Sequence, residues 1–307
     1  MLKTPSQAQF IPGITNRPEF ETMFGGFLTR FTELNILVDC GTVTGAADMV
    51  ARLKAVLGES PLDLVLLTHA HLDHSGGLGA ILETWPKAKA VTHAQAMDHL
   101  VDPTRLWRST QKVMGELAAM YGEPRPVDPD RLIPHHQFQS PGIKILETPG
   151  HAAHHLSYRL GDIIFAGEAV GCPHYWGGRL LSRPATPPRY FPEPTFASLD
   201  RLENEPVEEA YFGHTHEKGP LKAAIKAYRR QLSLWDELLR LGWSTADPTT
   251  SLEELTNTLT DNLFHHDPDL RPLLAWPETS LAIEKIFARN SVAGFLGHYA
   301  QSLKKRN

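Results

Sequence analysis

The segment Leu64-Val65-Leu66-Leu67-Thr68-His69-Ala70-His71-Leu72-Asp73-His74-Ser75-Gly76-Gly77 constrains the chain more than any other. Its apolar run predicts a buried strand, and Ser75-Gly76-Gly77 lets the chain turn into a helix. Between strand and helix, three histidines and an aspartate fall within six positions. Neutral imidazoles and a carboxylate suit zinc, iron(II) or manganese, and four such groups so close in sequence converge only where the backbone turns. A loop at a strand end is a usual seat for catalytic groups because a rigid scaffold holds it. The competing reading, a chance cluster of surface histidines, does not account for the strand, loop and helix around them.

The pattern His69-x-His71-x-Asp73-His74 resembles the signature of the metallo-β-lactamase-fold superfamily. That resemblance implies three further ligands downstream: a histidine after a Thr-Pro-Gly-like turn, an acidic residue at a later strand end, and a last histidine at another. The first is met by Thr148-Pro149-Gly150-His151, after the alternating strand-like run Ile143-Lys144-Ile145-Leu146. His154 and His155 share that loop as rival ligands or as outer partners; the family motif assigns His151. The last is met by Tyr211-Phe212-Gly213-His214-Thr215-His216, where His214 matches the family position better than His216.

The acidic position departs from the pattern. Ile163-Ile164-Phe165-Ala166-Gly167 carries Glu168 after it, where the family usually has a bridging aspartate. The extra methylene moves the carboxylate by about 1.5 Å, against metal–ligand distances of only ~2.0–2.2 Å. Three roles stay open for Glu168: bridging two metals after a backbone shift, binding one metal, or acting beside the site as an acid or base or as a partner of a loop amide.

With both sites filled, the resemblance implies His69, His71 and His151 around one metal, and Asp73, His74 and His214 around the other. The cofactors are then two divalent ions, zinc first, with iron or manganese as alternatives. A metal-bound hydroxide would be the nucleophile, Asp73 would hold it in line, and Asp73 and Glu168 are the candidate catalytic residues. Thr68 and Asp39 are expected to orient the imidazoles. Within the superfamily the chain resembles the glyoxalase II-like and lactonase-like hydrolases, which implies cleavage of a small ester, lactone or thioester. His71 favours hydrolysis, since the oxygen-reducing diiron branch usually has glutamate there. The alternatives are a mononuclear iron oxygenase resembling persulfide dioxygenases, a phosphodiesterase of the same fold, and a non-catalytic member.

Composition sets outer bounds. At 307 residues, 41% hydrophobic and 21% charged, the chain can bury one large core or a core plus an appended part. The net charge of −5, with no basic block beyond Lys304-Lys305-Arg306, argues against a nucleic-acid partner and for a small-molecule substrate. No apolar stretch approaches membrane-spanning length and Met1-Leu2-Lys3-Thr4-Pro5-Ser6 lacks a signal-peptide core, so the expectation is a cytoplasmic protein without membrane contact. Two cysteines, Cys40 and Cys172, make no disulfide framework and are expected to be reduced, as packing residues or near the metal pocket.

The order of elements implies an α/β (α+β) fold: the four-layer αββα metallo-β-lactamase sandwich over residues 10–220, with an added C-terminal helical region over 221–307 packed on it. Leu221, Ala224, Ile225, Tyr228, Leu232, Trp235 and Leu239 follow helical spacing, as do Val292, Phe295, Leu296, Tyr299 and Leu303. These stripes predict docking to the core, with a homodimer interface or a lid as the alternatives. Ser251-Leu252-Glu253-Glu254 reads as a capping box. An insertion from Asp102 is expected to be helical to about Tyr121. The Pro173–Pro192 stretch, rich in aromatics, Pro and Gly, is expected to be irregular. Arg105, Tyr175 and Trp176 are the candidate substrate contacts there.

Overall fold

A computed structural model describes residues 7–13, 23–176, 179–186 and 190–304. The chain divides into two compact units, one comprising residues 1–148, 154–167 and 206–219, the other 149–153, 168–205 and 220–307. One edge of this partition falls between residues 219 and 220. The helices beyond it do not stand alone, because residues 149–153 and 168–205 cluster with them.

In the first unit the strands are β1 (Gln9–Pro12), β2 (Gly25–Phe31), β3 (Leu34–Val38), β4 (Leu64–Leu66), β5 (Lys89–Thr92) and β6 (Leu132–Pro134), which form a six-stranded sheet in that order. β3 to β6 run parallel, so their carboxyl ends share one edge. A second sheet has the order β13 (Lys218–Pro220), β12 (Glu209–Phe212), β9 (Ile163–Gly167), β8 (Leu156–Leu160) and β7 (Ile143–Glu147). The period of two along a strand divides the side chains between two cores. Ile36 and Val38 of β3 and Leu64 and Leu66 of β4 pack against Leu156, Tyr158, Leu160, Phe165 and Tyr211 of the second sheet. Leu37, Val65 and Leu67 face the other way.

They meet α1 (Ala46–Leu57) through Met49 and Leu53, and α3 (Leu78–Thr84) through Leu78, Ile81 and Leu82. Between β4 and α3 lies the short α2 (Leu72–Ser75). β4 is thus buried on both faces, which is why it reads as an unbroken apolar run rather than as an alternating one. After β5 come α4 (Met97–Val101), α5 (Thr104–Met114) and α6 (Ala118–Tyr121). The expected single helix to Tyr121 is broken at Gly115, which sits at φ +56, a conformation that glycine adopts at no Cβ cost.

In the second unit, β10 (Cys172–Trp176) and β11 (Arg179–Arg183) pair antiparallel, Cys172 opposite Arg183 and Trp176 opposite Arg179. The stretch expected to be irregular is therefore partly a hairpin. Its sequence signal is Gly177-Gly178 between two short runs, a pattern that favours tight turns; these two glycines lie outside the described residues. α7 (Pro192–Glu203), α8 (Leu221–Thr245), α9 (Leu252–His266) and α10 (Glu278–Lys304) complete the unit.

The α8 stripe is buried throughout, and so are Val292, Phe295, Leu296 and Tyr299 of α10; the Leu303 side chain lies outside the described residues. Both halves of the Ser251 and Glu254 capping box are formed. Several buried polar groups inside this unit meet across elements. Arg183 meets Glu284 at 2.5 Å, Ser291 Oγ donates to Pro184 O at 2.6 Å, and Asp267 accepts from Trp235 Nε1 at 2.8 Å and from Gln231. Among the described residues, no helix is long and apolar enough to cross a membrane.

Candidate metal centre

Asp39 follows β3 and Thr68-His69 follows β4, so the parallel sheet delivers both to its carboxyl edge, where ligands of such sheets collect. Asp39 is held at φ +61 and His214 at φ +60, left-handed conformations that few non-glycine residues adopt and that cluster at functional positions. The turn after the histidines requires glycine for another reason: a Cβ on Gly77 would lie 2.3 Å from the Cys40 carbonyl oxygen.

Asp39 organises the histidines. Its Oδ1 accepts from the Thr68 backbone N–H at 2.8 Å. Its Oδ2 accepts from the Thr68 hydroxyl at 2.8 Å and from His74 Nδ1 at 2.9 Å. Because the Thr68 proton is directed to Asp39, the 3.0 Å contact between Thr68 Oγ1 and His69 Nδ1 has the imidazole donating. His69 then carries its lone pair on Nε2, 3.0 Å from His71 Nδ1. The same logic applies to His214, whose Nδ1 donates to the Met23 carbonyl at 3.2 Å.

His74 Nε2 and His214 Nε2 therefore direct lone pairs toward each other across 3.4 Å. Asp73 Oδ2 lies 3.6 Å from the latter. The ligand atoms of Asp73, His74 and His214 all fall within 4.8 Å of one another. Three electron-rich atoms so close repel unless positive charge sits among them, and Nδ1–H bonds to a carboxylate or carbonyl are what orient metal-ligating imidazoles. The donor set fits a borderline divalent cation.

In the second unit, His151 follows the Pro149-Gly150 turn, which Ser198 Oγ anchors by donating to Pro149 O at 2.7 Å. His151 Nδ1 donates to the Ala185 carbonyl at 3.0 Å. Its Nε2 lies 2.9 Å from Glu168 Oε2, and both side chains are buried. Here too, nitrogen and oxygen lone pairs are brought face to face. Cys172 Sγ lies 3.4 Å from the other glutamate oxygen, Oε1. Burial pushes the thiols of Cys172 and Cys40 well above their ordinary range, and neither forms a disulfide.

The competing histidines separate by environment. His216 is half exposed and 3.7 Å from Glu217. His155 is buried with its Nδ1 2.9 Å from Thr148 Oγ1, and its ring centroid lies 5.2 Å from that of His69. Gly167, at φ +54, makes room for it, since a Cβ there would meet His155 Nε2 at 2.6 Å. His154 packs 6.3 Å from His71 by ring centroids. Arg105 is exposed on α5, beside Arg108 and Lys112 around a shallow depression. Tyr175 and Trp176 belong to β10, and their side chains lie outside the described residues.

Sequence reasoning missed one cluster on the same edge. His93 follows β5, His135 follows β6 and Glu147 ends β7, with ligand atoms within 4.8 Å of one another. The two rings stack at 4.4 Å. His93 Nδ1 accepts from Gln95 N at 3.1 Å and His135 Nδ1 from Ala94 N at 3.2 Å. The remaining protons thus sit on Nε2, and His135 donates its own to Glu147 Oε1 at 3.1 Å. This cluster is arranged to donate to an anion and not to ligate a cation.

The metallo-beta-lactamase superfamily model matches residues 27–214, more than half the chain and the whole span from the first strand of the motif region to His214. The chain belongs to the metallo-beta-lactamase superfamily. A metallo-beta-lactamase fold-containing protein of Sulfurisphaera tokodaii is 32% identical over 165 residues, covering 51% of this chain and 59% of that one. The chain thus spans under two thirds of that relative's length. A hydroxyacylglutathione hydrolase of Prochlorococcus marinus is 27% identical over 237 residues, covering 71% of this chain and 80% of the relative.

Among solved structures, a metallo-beta-lactamase superfamily protein from Sulfolobus tokodaii superposes with a TM-score of 0.65 at 21% identity, covering 94% and 97% of the two chains. A metallo-beta-lactamase family protein from Thermus thermophilus gives 0.60 at 19% identity, covering 96% and 93%. The fold is that of the metallo-beta-lactamase superfamily, with a helical C-terminal region. Within this fold the chain carries Glu168, not aspartate, after β9.

Proposed function

We propose that the protein is a metal-dependent hydrolase that cleaves a small ester, lactone or thioester. The observation that carries this reading is the tautomer set. Asp39, the Met23 carbonyl and the Ala185 carbonyl take the Nδ1 protons of His74, His214 and His151, so each imidazole offers Nε2 to a cation. By the family resemblance, His69, His71 and His151 would hold one divalent ion and Asp73, His74 and His214 the other, with Glu168 as a further carboxylate ligand. When bound, such ions lower the pKa of a water toward neutrality and polarise an acyl carbonyl.

The chain's own groups supply the rest. Asp73 would accept a hydrogen bond from the attacking water and hold it in line. The carboxylate of Asp39 orients His74 directly through its Nδ1 bond and His69 through the Thr68 hydroxyl. Arg105, with Arg108 and Lys112 beside it, would offer positive charge to an anionic substrate tail. Similarity to proteins named hydroxyacylglutathione hydrolase supports the acyl-cleaving class.

The test is a panel of thioesters, lactones and phosphodiesters, assayed without oxygen before and after chelation and after zinc is restored. Acyl hydrolysis that is lost on chelation and regained with metal is the expected result. Turnover of phosphodiesters alone, or consumption of oxygen in air without anaerobic hydrolysis, contradicts it.

A further inference from the structure

Glutamate in place of aspartate leaves the carboxylate one more rotatable bond from the backbone, so something must fix its aim. Cys172, fully buried, has Sγ 3.4 Å from Glu168 Oε1, while Oε2 lies 2.9 Å from His151 Nε2. A carboxylate oxygen only accepts, so the thiol donates, and the two oxygens have divided partners.

The backbone is shaped for this contact. Gly171 N donates to Glu168 O at 3.1 Å and closes a turn that returns Cys172 to the side chain four residues before it. Gly171 holds φ +73, and a Cβ there would strike the Tyr228 ring and the Arg183 carbonyl at 2.7 Å, so the turn needs glycine. Cys172 also sits in register opposite Arg183. That buried guanidinium, paired with Glu284 at 2.5 Å, adds positive charge beside both the thiol and Glu168.

We propose that Cys172 is a positioning residue whose S–H···Oε1 bond fixes the Glu168 carboxylate with Oε2 on the His151 side, compensating for the longer side chain. The inference rests on Glu168 being a metal ligand, as proposed above.

Two measurements test it. The first is metal affinity, by competition with a chromophoric chelator, for chelator-stripped wild type, C172A, C172S and E168A, with circular dichroism of the stripped proteins as the folding control. Loss of a group that orients a ligand typically costs 10–100-fold in affinity. C172A is expected to weaken at least one ion by about that factor, and C172S, which retains a donor, to recover most of it.

The second is the infrared S–H stretching band of metal-free protein, isolated by subtracting the C172S spectrum. In the E168A background, with C172S/E168A subtracted, the band is expected to move to higher frequency as the bond is lost. Wild-type affinity in C172A, or an S–H band unmoved by E168A, overturns the positioning role. If E168A lowers affinity and C172A does not, positioning alone fails. Undiminished affinity in E168A removes Glu168 as a ligand and the inference with it. Should C172A not fold, the band shift decides by itself.

Discussion

Asp39 takes hydrogen bonds from Thr68 N, Thr68 Oγ1 and His74 Nδ1, so one buried carboxylate sets two imidazole tautomers. Asp39→Ala removes that acceptor while leaving every proposed ligand in place. Metal affinity is expected to fall about 10–100-fold, the usual effect of losing an outer partner of a ligating histidine; titration of stripped protein with zinc reads it. Unchanged affinity would mean that Asp39 only ties the β3 and β4 ends together.

At this scale the sequence was informative where chemistry is local. His69, His71, Asp73 and His74 are adjacent in the chain, and the strand before them and glycines after them announce the turn. His214 is buried beside Asp73, whereas His216 is half exposed. The bond from Cys172 to Glu168 was not legible, because nothing in Gly167-Glu168-Ala169-Val170-Gly171-Cys172 shows that the turn closes at Gly171. Nor was the cluster of His93, His135 and Glu147, whose members are far apart in the chain and meet only through the order of strand ends.

Elements whose faces are both buried, or whose stripe is long, read clearly. β4 and α8 are such cases, and the capping box of α9 is as its four residues imply. The hairpin β10 and β11 was harder, since Pro173 and scattered aromatics blur its alternation.

The ends of β5 and β6 carry a pH dependence of their own. Burial lowers the His93 pKa below its ordinary value, and the neighbouring His135 and His136 add to this, while Glu147 opposes it. The folded state therefore favours neutral His93. Stability from this group is complete above the unfolded value of about 6.5 and is lost as pH falls below it toward the folded value. His93→Asn keeps an acceptor for the Gln95 N–H and removes the titration. Between about pH 7 and about pH 5, the melting temperature of metal-free wild type is expected to drop more than that of His93→Asn. Parallel curves would contradict this.

The chain divides into two compact units, each drawn from separated stretches of sequence, and this was the least legible level. Periodicity marks where helices lie, but not which distant segments they pack with. The hairpin strand β11 and α10, about a hundred residues apart in the chain, are joined by the buried pair Arg183 and Glu284 and by Thr186 and Ser291. Glu284→Ala leaves a buried guanidinium without its counter-charge and is expected to cost about 3–5 kcal/mol of unfolding free energy, read as a lower denaturant midpoint. A midpoint like wild type would show that the pair does not hold the hairpin to α10.

The proposed ligands are spread along the sequence from His69 to His214. The count of metals is therefore a property of the complete chain. Elemental analysis of full-length protein, purified without chelators or added metal, measures it directly. Two divalent ions per chain, zinc foremost, is the expected result; a single iron per chain, or no bound metal, would contradict a dinuclear hydrolase.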